Sequence, residues 1–277
     1  MNKQKLPHGI EWTRVQKCVD GTTITLPGYT WNPTGGCFHG CTWQMPDGST
    51  TECYAKTVAE RLATSSYDQG FEHHYWRPDA LKQPLKLKDP AGIFVGSMAD
   101  LFGHWVPAEQ IQQVIDVMKQ ADWHTFQTLS KYPMRLPEFN PFPQNVWVGV
   151  SLPAGHMMKA EGAARALKAY LRHMEQVEAS IRFMSIEPLW FDAASVFEEW
   201  LETHDRLPFE WVIIGAASNG RTIFQPKQEW VQSLLEIFDK QCIPVFFKGN
   251  LKWNPWREEF PSNLVGIPSQ LATMKIA

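Results

Sequence analysis

From residue 93 onward the chain alternates short apolar runs with stretches of helical spacing, and this alternation restricts the fold more than any other feature. The runs are Ile93-Phe94-Val95-Gly96, Thr125-Phe126-Gln127-Thr128-Leu129, Val146-Trp147-Val148-Gly149-Val150, Ile181-Arg182-Phe183-Met184-Ser185-Ile186, Trp211-Val212-Ile213-Ile214-Gly215 and Ile243-Pro244-Val245-Phe246-Phe247. Each has the length of a strand. Between them, Ile111, Val114, Ile115 and Met118 follow Pro107, and Val231, Leu234, Leu235 and Phe238 follow Pro226, each set on one helical face. Both prolines stand where a first helical turn tolerates them. Ala160 to Met174 and Ala193 to Leu201 fill two further gaps. Strand, helix and strand alternating at about thirty residues per unit imply parallel pairing, because parallel neighbours need a crossover connection. Thr22 to Trp31 is a seventh candidate, weakened by Pro27 and Gly28. The expected fold is α/β, with a partial, open TIM-type barrel of about six or seven parallel strands favoured over a flat doubly wound sheet, a choice that periodicity does not decide.

One domain over residues 1–277 fits this pattern, since a chain of 277 residues is ordinary for one barrel. Hydrophobic residues at 44% exclude a disordered chain, and no apolar stretch approaches a membrane span. The 26 basic residues against 29 acidic ones remove the simplest case for nonspecific nucleic-acid binding, leaving only a local basic groove. Five cysteines, three of them within 17 residues, do not form the even framework of a small secreted protein. A reducing, cytoplasmic setting is expected.

In parallel sheets the ligand site lies beyond the carboxyl ends of the strands. Polar residues follow the runs there: Ser97 and Asp100, Ser130 and Lys131, Ser151, Glu187, Ser218 and Asn219, and Lys248. Singly, each reads equally well as a turn or capping residue; together they make a polar ring.

The segment Trp31-Asn32-Pro33-Thr34-Gly35-Gly36-Cys37-Phe38-His39-Gly40-Cys41 stands between a strand candidate and the helical stretch Tyr54 to Ala63, with Cys53 eleven residues after Cys41. Glycines 35, 36 and 40 let the loop wrap closely and take backbone angles denied to other residues. Thiolates are the usual ligands of iron–sulfur clusters, and three of them on a four-iron cluster leave one iron open. Two other readings stand beside this one: a structural zinc site completed by His39 or Cys242, and unliganded buried thiols. Cys18 and Cys242 read as packing residues.

These blocks resemble radical SAM enzymes, through a phage and bacterial three-cysteine family related to the spore photoproduct lyase group. The resemblance is carried by Trp31-Asn32-Pro33 with the cysteine segment and Cys53-Tyr54-Ala55, by Phe94 to Phe102, Val146 to Ser151, Ser185-Ile186-Glu187-Pro188-Leu189, Trp211 to Gly215, and Val245-Phe246-Phe247-Lys248. The usual motif keeps three residues between its first two cysteines and two between its second and third. Here the second gap is the insertion 42–52, with Pro46-Asp47-Gly48-Ser49 as a turn, and Glu52 stands where the motif has an aromatic residue. Such a loop leaves Cys53 in place if its ends stay close, because each doubling of loop length costs about 0.6 kcal/mol.

The resemblance implies a [4Fe-4S] cluster on Cys37, Cys41 and Cys53 that binds S-adenosylmethionine and generates a 5′-deoxyadenosyl radical. It places a contact to the methionine amino group at Gly96, Ser97, Met98 and Asp100, contacts to ribose and to adenine or methionine at Ser151 and Glu187, and a backbone approach to adenine at Gly215 and Ala216. It further implies an external electron donor, a bacterial cell or phage-infected host, and a nucleotide or modified nucleobase as substrate. Lys131, Trp190 and Lys248 are the candidate substrate contacts; Trp31, Trp43 and Trp105 also stand near strand ends, where an indole could stack on a base or simply pack in the core. His73 and His74 read as surface residues, since adjacent side chains do not share one ion on a helix face. The rival class is a zinc-binding or cluster-less module on the same fold that binds nucleic acid or protein.

Overall fold

The computed structural model describes residues 1–5, 9–19, 22–45, 47–152, 160–218, 220 and 222–261. An eight-stranded sheet organises them: β1 (Asn2–Lys3), β2 (Gly28–Trp31), β3 (Gly92–Val95), β4 (Thr125–Ser130), β5 (Val146–Ser151), β6 (Ile181–Ile186), β7 (Trp211–Ile214) and β8 (Val245–Phe247). Their spatial order is their chain order, β1 to β8, apart from the separate small hairpins between them. β1 pairs antiparallel with β2, and every later neighbour pairs parallel. The chain is thus mixed α/β with a mostly parallel sheet and no reversal of strand order.

Among the described residues six α-helices accompany the sheet: α1 (Tyr54–Arg61), α2 (Lys82–Lys86), α3 (Ala108–Gln120), α4 (Ala160–Glu175), α5 (Ala194–Leu201) and α6 (Gln228–Lys240). The apolar positions read from spacing are the buried ones, Ile111, Val114, Ile115 and Met118 in α3 and Val231, Leu234, Leu235 and Phe238 in α6. They pack with Ile93, Val95, Val148, Met184, Val212 and Phe247 in the larger core. Alternate strand residues point the other way. There Phe94, Trp147, Phe183, Trp211, Ile213 and Phe246 gather round Trp12 and Val15 in a second, mostly aromatic core.

The N-terminal segment therefore covers the helix-free face. Trp12 packs 4.7 Å from Phe94, and its carbonyl accepts from the Gln127 amide at 3.1 Å. Gly28 and Gly92, paired across β2 and β3, make this approach sterically open: a Cβ on Gly92 would stand 2.0 Å from the Thr13 carbonyl oxygen, and one on Gly28 would stand 2.2 Å from the Thr13 hydroxyl. The seventh candidate strand is accordingly shorter than its sequence suggests. Only Gly28–Trp31 joins the sheet, while Thr22–Thr25 pairs with Gln16–Val19 in a separate hairpin. Gly28 is where the sheet strand starts, because that is where the covering segment touches.

Candidate functional site

Cavity at the carboxyl ends of the strands

A cavity of about 1040 Å³ opens where the parallel strands end. Its wall takes in Cys37, Cys41 and Cys53, Gly96, Ser97 and Asp100, Lys131, Ser151, Glu187, Ala216 and Lys248. Three predicted residues lie outside that wall. Met98 packs beside Cys37 and Cys53 against the small cluster of Ala55, Ala59, Tyr67 and Phe71. Gly215 lies behind Glu187 and Lys248, and Trp190 is half-buried against the helix-side core. Ser218 lines the cavity, and Asn219 lies outside the described residues.

The insertion explains how the cysteines meet. Residues Thr42–Gln44 and Thr50–Glu52 form an antiparallel hairpin with Thr42 opposite Glu52 and Trp43 opposite Thr51. Cys41 and Cys53 flank its open end, and the Cys53 N–H donates to the Cys41 carbonyl at 3.0 Å. Eleven extra residues thus leave Cys53 beside Cys41, at the first turn of α1. The other end of the motif is fixed by the backbone: Gly36 N–H donates to Met98 O at 3.1 Å and Cys37 N–H to Phe71 O at 2.9 Å.

All three cysteines are half-buried free thiols. Burial pushes the Cys37 thiol up to about 12, against the N–H of His39 and the distant Lys131 ammonium, which favour the thiolate. Cys41 is likewise raised, chiefly by burial, with Lys131 opposing. Without a cation, burial favours the protonated form of Cys37 and Cys41; a bound metal centre would supply the missing positive charge. Among the described residues, no three His, Cys, Asp or Glu side chains converge on the position of a single ion. A tetrahedral zinc site would gather its thiolates on one ion, and a four-iron cluster would take each on a different iron. Three thiols on one cavity wall, with room beyond them, suit the larger group by the chemistry of the donor set. Cys242, read from sequence as a packing residue, is exposed in the turn before β8 with φ of 54° and away from the wall that carries the other three cysteines, so it is not a core thiol.

Fixed polar groups surround the cysteines. The buried Asp100 carboxylate, 4% exposed, accepts from Ser130 Oγ at 2.8 Å, from the backbone N–H of Phe102 at 3.1 Å and of Lys131 at 2.8 Å, and pairs with His39 Nε2 at 2.7 Å. Burial works to raise its pKa, but His39, the Lys131 N–H and the Ser130 hydroxyl outweigh it and hold the carboxyl below the ordinary carboxylate value. Ser97 exchanges hydrogen bonds with Asn32, whose Oδ1 also accepts from the Met98 N–H at 3.0 Å. Glu187 and Lys248 form an ion pair at the ends of β6 and β8. The Asn250 side chain spans Ala216, accepting from its N–H at 3.1 Å and donating to its carbonyl at 2.8 Å.

Sequence reasoning passed over Asn32, Tyr54 and Asn250 as site residues. Asn32 and Tyr54 stand inside the quoted motifs, and Asn250 two residues beyond Lys248, so proximity to recognised blocks was the available signal. The tryptophans divide. Trp43 lines the cavity, while Trp31 is wholly buried with its N–H on the Ala80 carbonyl at 2.8 Å. Trp105 packs 5.1 Å from Phe38. His73 and His74 are half-buried rather than surface residues, His73 edge-on to Tyr75 and His74 bonded to Gln110 at 2.7 Å. No helix of the described residues is long and apolar enough to cross a membrane.

Comparison with known proteins

No protein of curated function matches the chain. Solved structures with a similar course include a doubly substituted spore photoproduct lyase with bound AdoMet and dinucleoside spore photoproduct, at 10% identity and a TM-score of 0.45 over 84% of this chain and 66% of that one. A second, singly substituted spore photoproduct lyase gives 10% identity and a TM-score of 0.42 over 86% and 72% of the two chains. Another with dinucleoside spore photoproduct gives 11% identity and 0.39 over 75% and 60%. The chain thus spans 66% of the length of the first of these lyases. A family model matches residues 21–266, and on that match the chain belongs to the family described as protein of unknown function, DUF5131.

Proposed function

We propose that this chain is a radical S-adenosylmethionine enzyme on a partial, open barrel, with Cys37, Cys41 and Cys53 holding a [4Fe-4S] cluster. The observation that carries the reading is the hairpin closure: the Cys53 N–H bonded to the Cys41 carbonyl returns the third cysteine to the first two across an eleven-residue insertion. The sequential strand order supports a sheet that curls one way, with crossovers on one face and the cavity beyond the strand ends. When bound, the cluster would supply the electron that splits S-adenosylmethionine into methionine and a 5′-deoxyadenosyl radical able to take a hydrogen atom from substrate.

The chain's own part is position and exclusion of water. In this reading Gly96 and Ser97 border the methionine end, with Met98 packing behind the cysteines, and Ser151 and Glu187 take the ribose and adenine side. Gly215 and Ala216 form the backbone wall there, stiffened by the Asn250 clamp on Ala216. Lys131 and Lys248 supply cations for a nucleotide or modified nucleobase, and Trp43 and Tyr54 offer aromatic surface on the same wall. The reading includes an external one-electron donor and a cytoplasmic setting in a bacterial or phage-infected cell; Trp190, outside the cavity wall, is left without a substrate role.

The test is anaerobic reconstitution with iron and sulfide, reduction with dithionite, and assay for 5′-deoxyadenosine after adding S-adenosylmethionine. The wild-type protein is expected to turn brown and form the product, and the Cys37→Ala, Cys41→Ala, Cys53→Ala triple variant to do neither. A colourless wild-type protein carrying stoichiometric zinc would sink the proposal.

A further inference from the structure

We infer that Asp100 is a positioning residue that sets the cysteine loop, and that its carboxylate is held by the protein rather than offered to a ligand. A carboxylate has about four acceptor sites, and all four here meet protein donors. Oδ1 takes the Phe102 N–H and the Ser130 hydroxyl, and Oδ2 takes the Lys131 N–H and the His39 ring. The residue is 4% exposed, so its charge is stable only because those donors are in place. A substrate or cofactor ammonium could reach it only by displacing one of them.

The four donors come from three separate segments. Phe102 follows β3, Ser130 and Lys131 end β4, and His39 stands midway between Cys37 and Cys41. The two ends of the loop are held by backbone bonds, Gly36 to Met98 and Cys53 to Cys41. Its middle has the His39–Asp100 pair, backed by the Trp105 indole edge-on to the imidazole at 5.0 Å. Through the same carboxylate the Lys131 backbone is fixed beside that loop, on the cavity wall its side chain shares with the cysteines. The assignment of the cysteines as cluster ligands rests on the proposed function; the tether itself does not.

Asp100→Asn separates this role from bulk packing, because the shape is kept and one acceptor becomes a donor. Whichever way the amide turns, its NH₂ faces the backbone N–H of Phe102 or of Lys131. Residue-resolved alkylation by mass spectrometry on metal-free protein reads the loop cleanly in His39→Phe, which leaves the Asp100 carboxylate in place, whereas in Asp100→Asn the lost charge also acts on both thiols. In Asp100→Asn, Cys37 and Cys41 should react about tenfold faster or more than in wild type. Alkylation of the exposed Cys242 should not change, and iron bound after reconstitution should fall.

His39→Phe, which keeps a ring and removes the donor, should behave in the same way and remains informative if Asp100→Asn does not fold. His39→Gln, whose side-chain amide can still donate to Asp100, should restore slow alkylation relative to His39→Phe. Wild-type alkylation rates and iron content in a folded Asp100→Asn or His39→Phe variant would overturn the inference. Should wild type bind no iron while the alkylation pattern holds, the cluster reading fails and the tether stands.

Discussion

At the scale of single residues, the cysteine motif depends on the absence of side chains as much as on its thiols. Gly36 has φ of +82°, and a Cβ there would stand 1.8 Å from the His73 carbonyl oxygen and 2.9 Å from that of Phe71. Both obstacles are backbone and cannot swing away. Gly48, at the tip of the inserted hairpin, has nearly the same φ of +83° with nothing within 4 Å. The two positions separate strain from collision. Gly48→Ala should cost only the unfavourable backbone conformation, about 1 kcal/mol, whereas Gly36→Ala should cost several-fold more and abolish iron binding. Urea unfolding of both variants decides the point: equal losses would mean that the loop yields at Gly36 and does not fix Cys37. The need for a glycine at 36 and at 40, where φ is +57°, was legible in the motif. The reason for Gly35 was not, because the Arg77 guanidinium that fills its missing side chain lies 42 positions on in the chain and nothing local announces it.

Among the elements, sequence periodicity located what is regular and missed what depends on partners. All six apolar runs became sheet strands within two residues of their expected ends, and the helices followed the proline and spacing signals. Both rest on local alternation that any fold must satisfy. Thr22–Thr25 also reads as strand, and it is one, but its partner is the preceding Gln16–Val19, while Thr13 closes on Gly28 and Gly92 where the sheet strands begin. The insertion was legible as a loop whose ends must stay close, and the hairpin supplies that closeness through cross-strand pairing. If the hairpin only bridges, its length is free. Replacing residues 43–51 by Asn-Gly, which favours a tight two-residue turn between Thr42 and Glu52, should leave the iron bound per chain at the wild-type value. A loss of iron with unchanged far-UV circular dichroism would mean that Trp43 or Thr51 is needed to hold the cysteines, and that the insertion is part of the site.

For the molecule as a whole, the two faces of the sheet are unlike, and this asymmetry makes the cavity. One face is closed by helices over a mainly aliphatic core; the other is filled low down by aromatic rings and left open above them, where the same inward rows end in Ser151, Ser185 and Glu187. The high tryptophan content, read as base stacking or core packing, includes a structural group on the inner face: Trp147 and Trp211 are buried there with ring centroids 5.6 Å apart, and Trp12 belongs to the same core. No local pattern pairs residue 12 with residues 94, 127 and 183, so the plug could not be read from sequence, although the site above it could. The covering segment is tied at several points, by Gln127 to the Trp12 carbonyl, by the Gly249 N–H to Glu11 at 2.9 Å, and by Thr13 against the paired glycines. Trp12, 4% exposed, also forms part of the cavity floor. Truncating so large a buried ring should cost about 3–5 kcal/mol, and Trp12→Phe distinctly less, because a smaller ring still meets Phe94 and Phe183. Denaturant unfolding of the metal-free protein measures both. A loss below about 0.5 kcal/mol for Trp12→Ala, within the range of surface substitutions, would mean that the N-terminal segment merely rests on the sheet and that the strands form the floor without it.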